Sequence, residues 1–215
     1  RTMPRSMRAR IRDISSRVPL GNAILVGGGI GHLSAWLFDL WCGNPVEENH
    51  VPKKTPDSFI IIEEGARFGV IIDRLIRRYN AESWSRVMAK PWSEITAEVA
   101  SWSAAAASLP SSARPSEIPL PVSLVIIDLP DSERPAAASS AFDILSPEGL
   151  LIVPEPEVPT GDVGVPEEGA EPTIAQAKVL AFNQWISFIK NVSEHHSISF
   201  VELSGGTLAV IRRMA

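Results

Sequence analysis

The chain has 215 residues, 45% of them hydrophobic and 21% charged, a balance that supports the packed core of one ordinary domain and excludes a disordered chain. Its formal net charge of −5 argues against a general nucleic-acid binder. The single cysteine, Cys42, excludes a disulfide framework and any multi-cysteine zinc site, and no apolar run approaches the ~20 residues of a membrane span.

The predicted elements run as follows. Residues 4–17 form a basic helix carrying Arg5, Arg8, Arg10, Arg12 and Arg17. It reads as a solvated amphipathic helix leading into the domain, although its charge would also suit an anionic surface. Residues 23–27 are a first strand and 31–41 a helix rich in Leu, Trp and Phe. A polar, proline-studded loop covers 43–57. Phe59–Ile62 is a second buried strand, stopped by Glu63-Glu64-Gly65. Over 66–79, Phe68, Ile71, Ile72, Leu75 and Ile76 recur at helical spacing. A short third strand covers 85–89, an Ala-rich helix 93–108, and an exposed Pro/Ser loop 109–121. Leu124–Asp128 is a fourth strand, 134–145 a helix, Ser146–Gly149 a turn and Leu150–Val153 a fifth strand. A mobile acidic loop is expected over 154–172, then an amphipathic helix over about 173–192. Strands Ile198–Leu203 and Thr207–Ile211, joined by Ser204-Gly205-Gly206, close the chain as an antiparallel hairpin.

Continuous apolar strands separated by helices specify an α/β fold: a doubly wound, mostly parallel seven-stranded sheet with helices on both faces and a C-terminal antiparallel hairpin. Residues 1–20 are an N-terminal basic helical extension and 21–215 one domain. The start carries no signal-peptide pattern, and beginning on Arg1 rather than Met suggests a piece of something longer. With one cysteine and no span, a reducing, cytoplasmic location and no membrane partner are expected.

The most informative segment is Val26-Gly27-Gly28-Gly29-Ile30-Gly31-His32, where glycines follow directly on a buried strand. Such a corner lets the backbone turn tightly, brings a ligand close and presents a helix N-terminus. With Leu33-Ser34-Ala35 it is close to a flavoprotein fingerprint, and Ile62-Glu63-Glu64-Gly65 resembles an acidic second strand. Yet a G-x-G-x-x-G count from Gly27 puts His32 where the third glycine belongs, and the acidic pair comes too late. An FAD- or NAD-binding oxidoreductase fragment is therefore the alternative.

A second set of motifs covers residues 20 to 213. The turn Gly27-Gly28-Gly29-Ile30-Gly31 matches G-x-G-x-G; Glu63, with Glu64 as alternative, ends strand two; Ile126-Ile127-Asp128 ends strand four; Leu145-Ser146-Pro147-Glu148-Gly149 precedes strand five; and the hairpin closes the chain. In these features the chain resembles the class I, Rossmann-like S-adenosylmethionine-dependent methyltransferases. The resemblance implies S-adenosyl-L-methionine as cofactor. It places Gly27, Gly29, Gly31, His32, Glu63, Glu64, Trp92 and Asp128 around that cofactor, with Asp128 and Asp131 as candidate catalytic carboxylates. It implies O-methylation of a small-molecule acceptor; the acidic balance of the chain speaks against a nucleic-acid partner, and a homodimer or partner protein is a further possibility.

Two positions depart from the family pattern. Leu25 stands where an acidic residue near the methionine amino group is common, and Lys90-Pro91-Trp92-Ser93 replaces an acidic residue near the adenine, where Trp92 could stack instead. These departures motivate another alternative, a catalytically silent Rossmann-like module acting as a structural or partner-binding domain.

Methyl transfer is an in-line displacement in which the protein positions donor and acceptor and, where needed, removes a proton. Asp128 and Asp131 sit at the correct strand end for that. The run Asp128-Leu129-Pro130-Asp131 is one residue too long for the metal-holding D-x-D pair of some O-methyltransferases. Glu155 or Glu157 could add a carboxylate suited to Mg²⁺, but no metal is expected. Asp131 also reads as a turn or cap residue before Pro135. The acidic loop, with Glu155, Glu157, Asp162, Glu167, Glu168 and Glu171, reads either as a lid over the acceptor or as an inert insertion. His195 and His196 read as exposed, Cys42 as unactivated, and the six tryptophans mostly as core or loop anchors.

Overall fold

A computed structural model describes residues 2–43, 54–110, 116–166 and 168–215. Most of the proline-studded loop, residues 111–115 and Glu167 lie outside the described residues. The elements are α1 (Arg5–Ser15), β1 (Asn22–Val26), α2 (His32–Cys42), β2 (Ser58–Ile62), α3 (Ala66–Arg78), β3 (Ser85–Met88), α4 (Trp92–Ala105), β4 (Val122–Ile127), α5 (Arg134–Asp143), β5 (Leu145–Pro154), α6 (Ile174–Ser193), β6 (Ser197–Leu203) and β7 (Gly206–Arg212).

The seven strands form one sheet in the order β3-β2-β1-β4-β5-β7-β6. Strands β1 to β5 pair in parallel, while β7 runs antiparallel to both β5 and β6. The chain steps outward from β1 to β3, then returns to place β4 on the other side of β1. The order therefore reverses between β1 and β4, and ligands of open α/β sheets bind outside the strand ends at such a point.

Period-two alternation explains why these strands read as unbroken apolar runs: both faces are covered. Ile24, Val26, Ile60, Ile62, Val125 and Ile127 face the layer that contains Trp92 of α4, Ala138 of α5 and Trp185 of α6. Ala23, Leu25, Phe59, Ile61, Leu124 and Ile126 face the opposite layer, with Ile11 of α1, Phe38 of α2 and Ile72 of α3.

Helix α1 is more than a lead-in. Met7 and Ile11, one turn apart, are buried in that second layer, and Ile11 is fully inaccessible. Of its basic side chains, Arg5 and Arg10 are exposed and Arg8 and Arg12 half-buried. Arg12 pairs with Asp39 at 3.0 Å, and the Arg8 guanidinium lies 5.6 Å from the Trp36 ring centre.

Strand β5 starts earlier than the sequence suggests, and Ser146–Gly149 lies within it. Val122 pairs with Leu145, and Leu124 already pairs with Leu150. The intervening residues bulge out, with Glu148 at φ 65°. They are held because the Glu148 N–H donates to the Arg213 carbonyl at 2.7 Å and the Arg213 N–H to the Gly149 carbonyl at 3.0 Å. The expected turn is thus absorbed as an irregularity paired with the chain's last residues.

Candidate cofactor and acceptor site

Strand β1 leaves the sheet at Gly27, with φ +90°. A Cβ there would collide with the Asp128 carbonyl oxygen, because the end of β4 lies directly alongside. The Asp128 N–H donates to the Val26 carbonyl at 2.8 Å, and the Gly27 and Gly28 N–H groups both donate to Ile62 at 2.9 and 3.0 Å. The ends of β1, β2 and β4 are thereby stitched into one corner.

Glu63 crosses that corner. Its Oε2 accepts the Gly29 N–H at 2.6 Å and its Oε1 accepts the Gly65 N–H at 2.9 Å. Each carboxylate oxygen keeps a further lone pair. A Cβ on Gly29 would meet nothing within 4 Å, so this residue faces open space. Gly31, at φ +85°, caps α2. His32 is exposed on the first turn of α2 and, like Gly29 and Gly31, is not among the residues lining the cavities described next, whereas the exposed Glu64 lines one of them.

A cavity of about 1040 Å³ opens beside this corner, with Gly27, Glu63, Pro91, Trp92, Val99 and Ala137 among its walls. Trp92 is almost wholly buried, and its indole Nε1–H donates to Ser140 Oγ at 2.9 Å, so α4 is tied to α5 across the cavity floor. Lys90, at the departure noted above, is held by Glu98 and Glu117, each at 3.2 Å. Those carboxylates, Glu117 foremost, raise its pKa. Leu25 is completely buried among the side chains of the α1–α3 layer.

A second cavity, of about 730 Å³, lies at the ends of β4 and β5. Asp128, Glu155, Met3, Met7, Ile174 and Lys178 contribute to its lining. Leu129 and Ser132 line both cavities, so the two adjoin across the loop after β4. Burial raises the Asp128 carboxyl to about 6, against the opposing pull of Arg134 and Arg8.

The other carboxylates here are engaged. Asp131 Oδ1 pairs with Arg134 Nη1 at 2.7 Å, and Asp131 Oδ2 accepts the Glu157 N–H at 3.0 Å. Glu155 Oε1 accepts the Trp185 indole N–H at 3.1 Å, and its N–H donates to the Thr207 carbonyl at 2.8 Å. Among the described residues, no group of three or more His, Cys, Asp or Glu could hold a metal ion.

The structure thus brings Gly27, Gly29, Glu63, Trp92 and Asp128 to one end of the sheet, with Asp131 one turn beyond. It also brings in residues that the sequence reading did not single out: Met3 and Met7 from the N-terminal segment, Leu129, Ser132 and Arg134. Only Arg134 had a sequence signal, its position three residues after Asp131 at the start of a helix. Cys42 is buried away from both cavities; burial first, then Asp39, pushes its thiol up to about 11. His196 accepts the Met214 N–H at Nδ1 and packs on Phe142.

No protein-family model matches the chain, and no curated protein sequence does. Solved structures do. An O-methyltransferase from Bacillus cereus in complex with SAH superposes with a TM-score of 0.67 at 12% identity, covering 99% of this chain and 83% of that one. The O-methyltransferase TomG from Streptomyces achromogenes, involved in tomaymycin synthesis and bound to SAM, gives 0.63 at 11% identity, over 100% and 82%. The SAH-bound methyltransferase PaMTH1 from Podospora anserina gives 0.56 at 9% identity, over 97% and 76%. Among the described residues, no helix is long and apolar enough to cross a membrane. With its sheet closed by the β6–β7 hairpin, the chain shares the mostly parallel, Rossmann-like fold of these solved methyltransferases.

Proposed function

We propose that this chain is an S-adenosylmethionine-dependent methyltransferase that methylates a hydroxyl oxygen of a small-molecule acceptor. The observation that carries the reading is Glu63, paired with the Gly29 N–H and lining a cavity that adjoins a second one at Asp128. The first cavity suits the cofactor. A carboxylate pre-set by two N–H groups offers its remaining lone pairs to vicinal ribose hydroxyls, and an indole wall suits a purine.

When bound, the cofactor supplies an electrophilic methyl group on a sulfonium. The chain supplies placement. Glu63 and the glycine corner fix one end, Trp92 and Pro91 hold the flat end, and Leu129 stands between the cavities. Holding the two reactants in line accounts for most of the rate gain expected of such a site. Asp128 faces the second cavity and receives the proton released by the acceptor hydroxyl. Its pKa of about 6 leaves it ionised at neutral pH and closer to the working range than an ordinary aspartate. With Asp131 held by Arg134 and by the Glu157 amide, its role is to shape the loop, and Asp128 is the base.

The carboxylates lining the second cavity, Asp128, Asp131, Glu155 and Glu157, outnumber its cations, Arg134 and Lys178, which favours an uncharged or cationic acceptor over a polyanion such as RNA. Neither Lys90 nor Leu25 lines the first cavity, so both departures from the family pattern leave its space open.

Calorimetric titration with S-adenosylhomocysteine tests the reading. Micromolar binding that Glu63→Ala and Gly29→Val both abolish supports it. No binding at millimolar ligand overturns it and returns the silent partner-binding module to first place.

A further inference from the structure

We propose that Arg134 is a positioning residue: its guanidinium clamps the loop after β4 to the segment after β5, fixing the wall shared by the two cavities and the setting of the Asp128 carboxyl. That this setting serves catalysis rests on the function proposed above; the clamp itself does not.

The geometry is specific. Arg134 opens α5 one turn after Asp131. Its Nε–H donates to the Leu129 carbonyl at 2.6 Å, and Leu129 lines both cavities. Its Nη1 reaches the Asp131 carboxylate at 2.7 Å and the Glu155 carbonyl at 3.2 Å. Asp131 in turn takes the Glu157 N–H. One planar fork therefore ties together the end of β4, the start of α5 and the exit of β5, a task its rigid spread of donors suits and an ammonium does not. The side chain is only 16% exposed, so these bonds form where water competes little.

The charges around Asp128 come from several elements. Arg134 on α5 and Arg8 on α1 favour its ionised form. Asp131 on its own loop, Glu155 and Glu157 after β5, and Lys178 on α6 line the same cavity, while the β6–β7 turn contributes Gly205, Gly206 and Thr207. Since Asp131 is neutralised by Arg134, removing the guanidinium both withdraws a cation from Asp128 and frees an anion near it.

The experiment uses the whole chain as wild type, Arg134→Gln and Arg134→Lys, with folding checked by circular dichroism. Carbon-13 NMR reads the titration of the Asp128 carboxyl, and amide hydrogen exchange reads the Glu157 N–H. In Arg134→Gln the Asp128 midpoint moves up from about 6, and protection of the Glu157 amide falls about tenfold or more. In Arg134→Lys the midpoint stays near the wild-type value while the protection still falls, separating the charge from the fork. An unchanged midpoint together with unchanged protection in folded Arg134→Gln overturns the proposal. Should that variant not fold, Arg134→Lys reads the same Glu157 amide, and undiminished protection there is equally fatal. Titration of wild type with S-adenosylhomocysteine runs in parallel: failure to bind sinks the methyltransferase reading and leaves the clamp to be judged by its own two readouts.

Discussion

The Glu63 carboxylate and the Gly29 amide meet at 2.6 Å, joining the turn after β1 to the end of β2, where Glu63 lines the larger cavity. This charge-assisted bond orders the turn before any ligand arrives, so less has to be immobilised on binding. Glu63→Gln keeps the shape but loses the charge. Hydrogen bonds to charged groups contribute about 1.5–3 kcal/mol, so S-adenosylhomocysteine binding should weaken by roughly ten- to a hundredfold. Glu64→Gln, exposed at the rim, should change it by less than about threefold. Calorimetry on both variants checks this, and equal losses would point to bulk charge instead of Glu63.

Asp128 sets stability against function. Its pKa rises on folding from 3.8 to about 6, so the native state holds the proton more tightly than the unfolded chain does. The contribution is fully present below pH 3.8 and is lost as pH rises through about 6, a loss of about 3 kcal/mol at most. Asp128→Asn cannot ionise and escapes that loss. It should be more stable than wild type at neutral pH by up to that amount, equal to it near about pH 4, and inactive. Urea denaturation at the two pH values measures the difference. The same gain at both would mean the carboxyl is not the cause.

Trp92 carries both a wall and a strut. Trp92→Ala removes a buried indole from the α4–α5 contact and should cost about 3–5 kcal/mol. Trp92→Phe loses mainly the bond to Ser140, whose hydroxyl still reaches the Ala136 and Ala137 carbonyls at 3.2 and 3.1 Å, so no polar atom is stranded. That variant should cost about 1–2 kcal/mol and keep a flat wall, leaving S-adenosylhomocysteine affinity within about tenfold of wild type. Denaturation and calorimetry on the pair separate the two roles, since unchanged affinity in folded Trp92→Ala would leave the ring no part in binding.

The centre of the sheet was legible because strands β1, β2 and β4 have no polar face. Runs such as Phe59-Ile60-Ile61-Ile62 cannot lie at a solvated surface, and the glycine turn and Glu63 follow from where such strands end. What was hidden depends on contacts between segments distant in sequence. The bulge in β5 exists because Arg213, at the other end of the chain, pairs with Gly149. Asp131 could be read as a base from its position alone. Its commitment to Arg134 and to the Glu157 amide, 26 residues away, is a tertiary fact. Likewise, the arginines of α1 dominate its composition and suggest a solvated extension, whereas Ile11 and Met7 decide where it packs.

That last point gives a prediction with opposing magnitudes. The Arg12–Asp39 pair at 3.0 Å is about a third to a half exposed, and such pairs contribute no more than about 1 kcal/mol. Ile11 is fully buried between α2 and the sheet, and truncating a residue of that kind costs about 2–5 kcal/mol. Ile11→Ala should therefore lower the unfolding midpoint of the whole domain in one cooperative transition, while Arg12→Ala barely moves it. A separate early transition, with the main one unshifted, would mean that α1 is an appended helix after all. Because Met3 and Met7 reach the smaller cavity from the same segment, loosening α1 should disturb acceptor binding before it touches the cofactor cavity, whose walls come from β1, β2, α4 and α5. Unaltered S-adenosylhomocysteine affinity in folded Ile11→Ala is the expected result, and a large loss there would tie the two cavities more closely than their shared Leu129 and Ser132 imply.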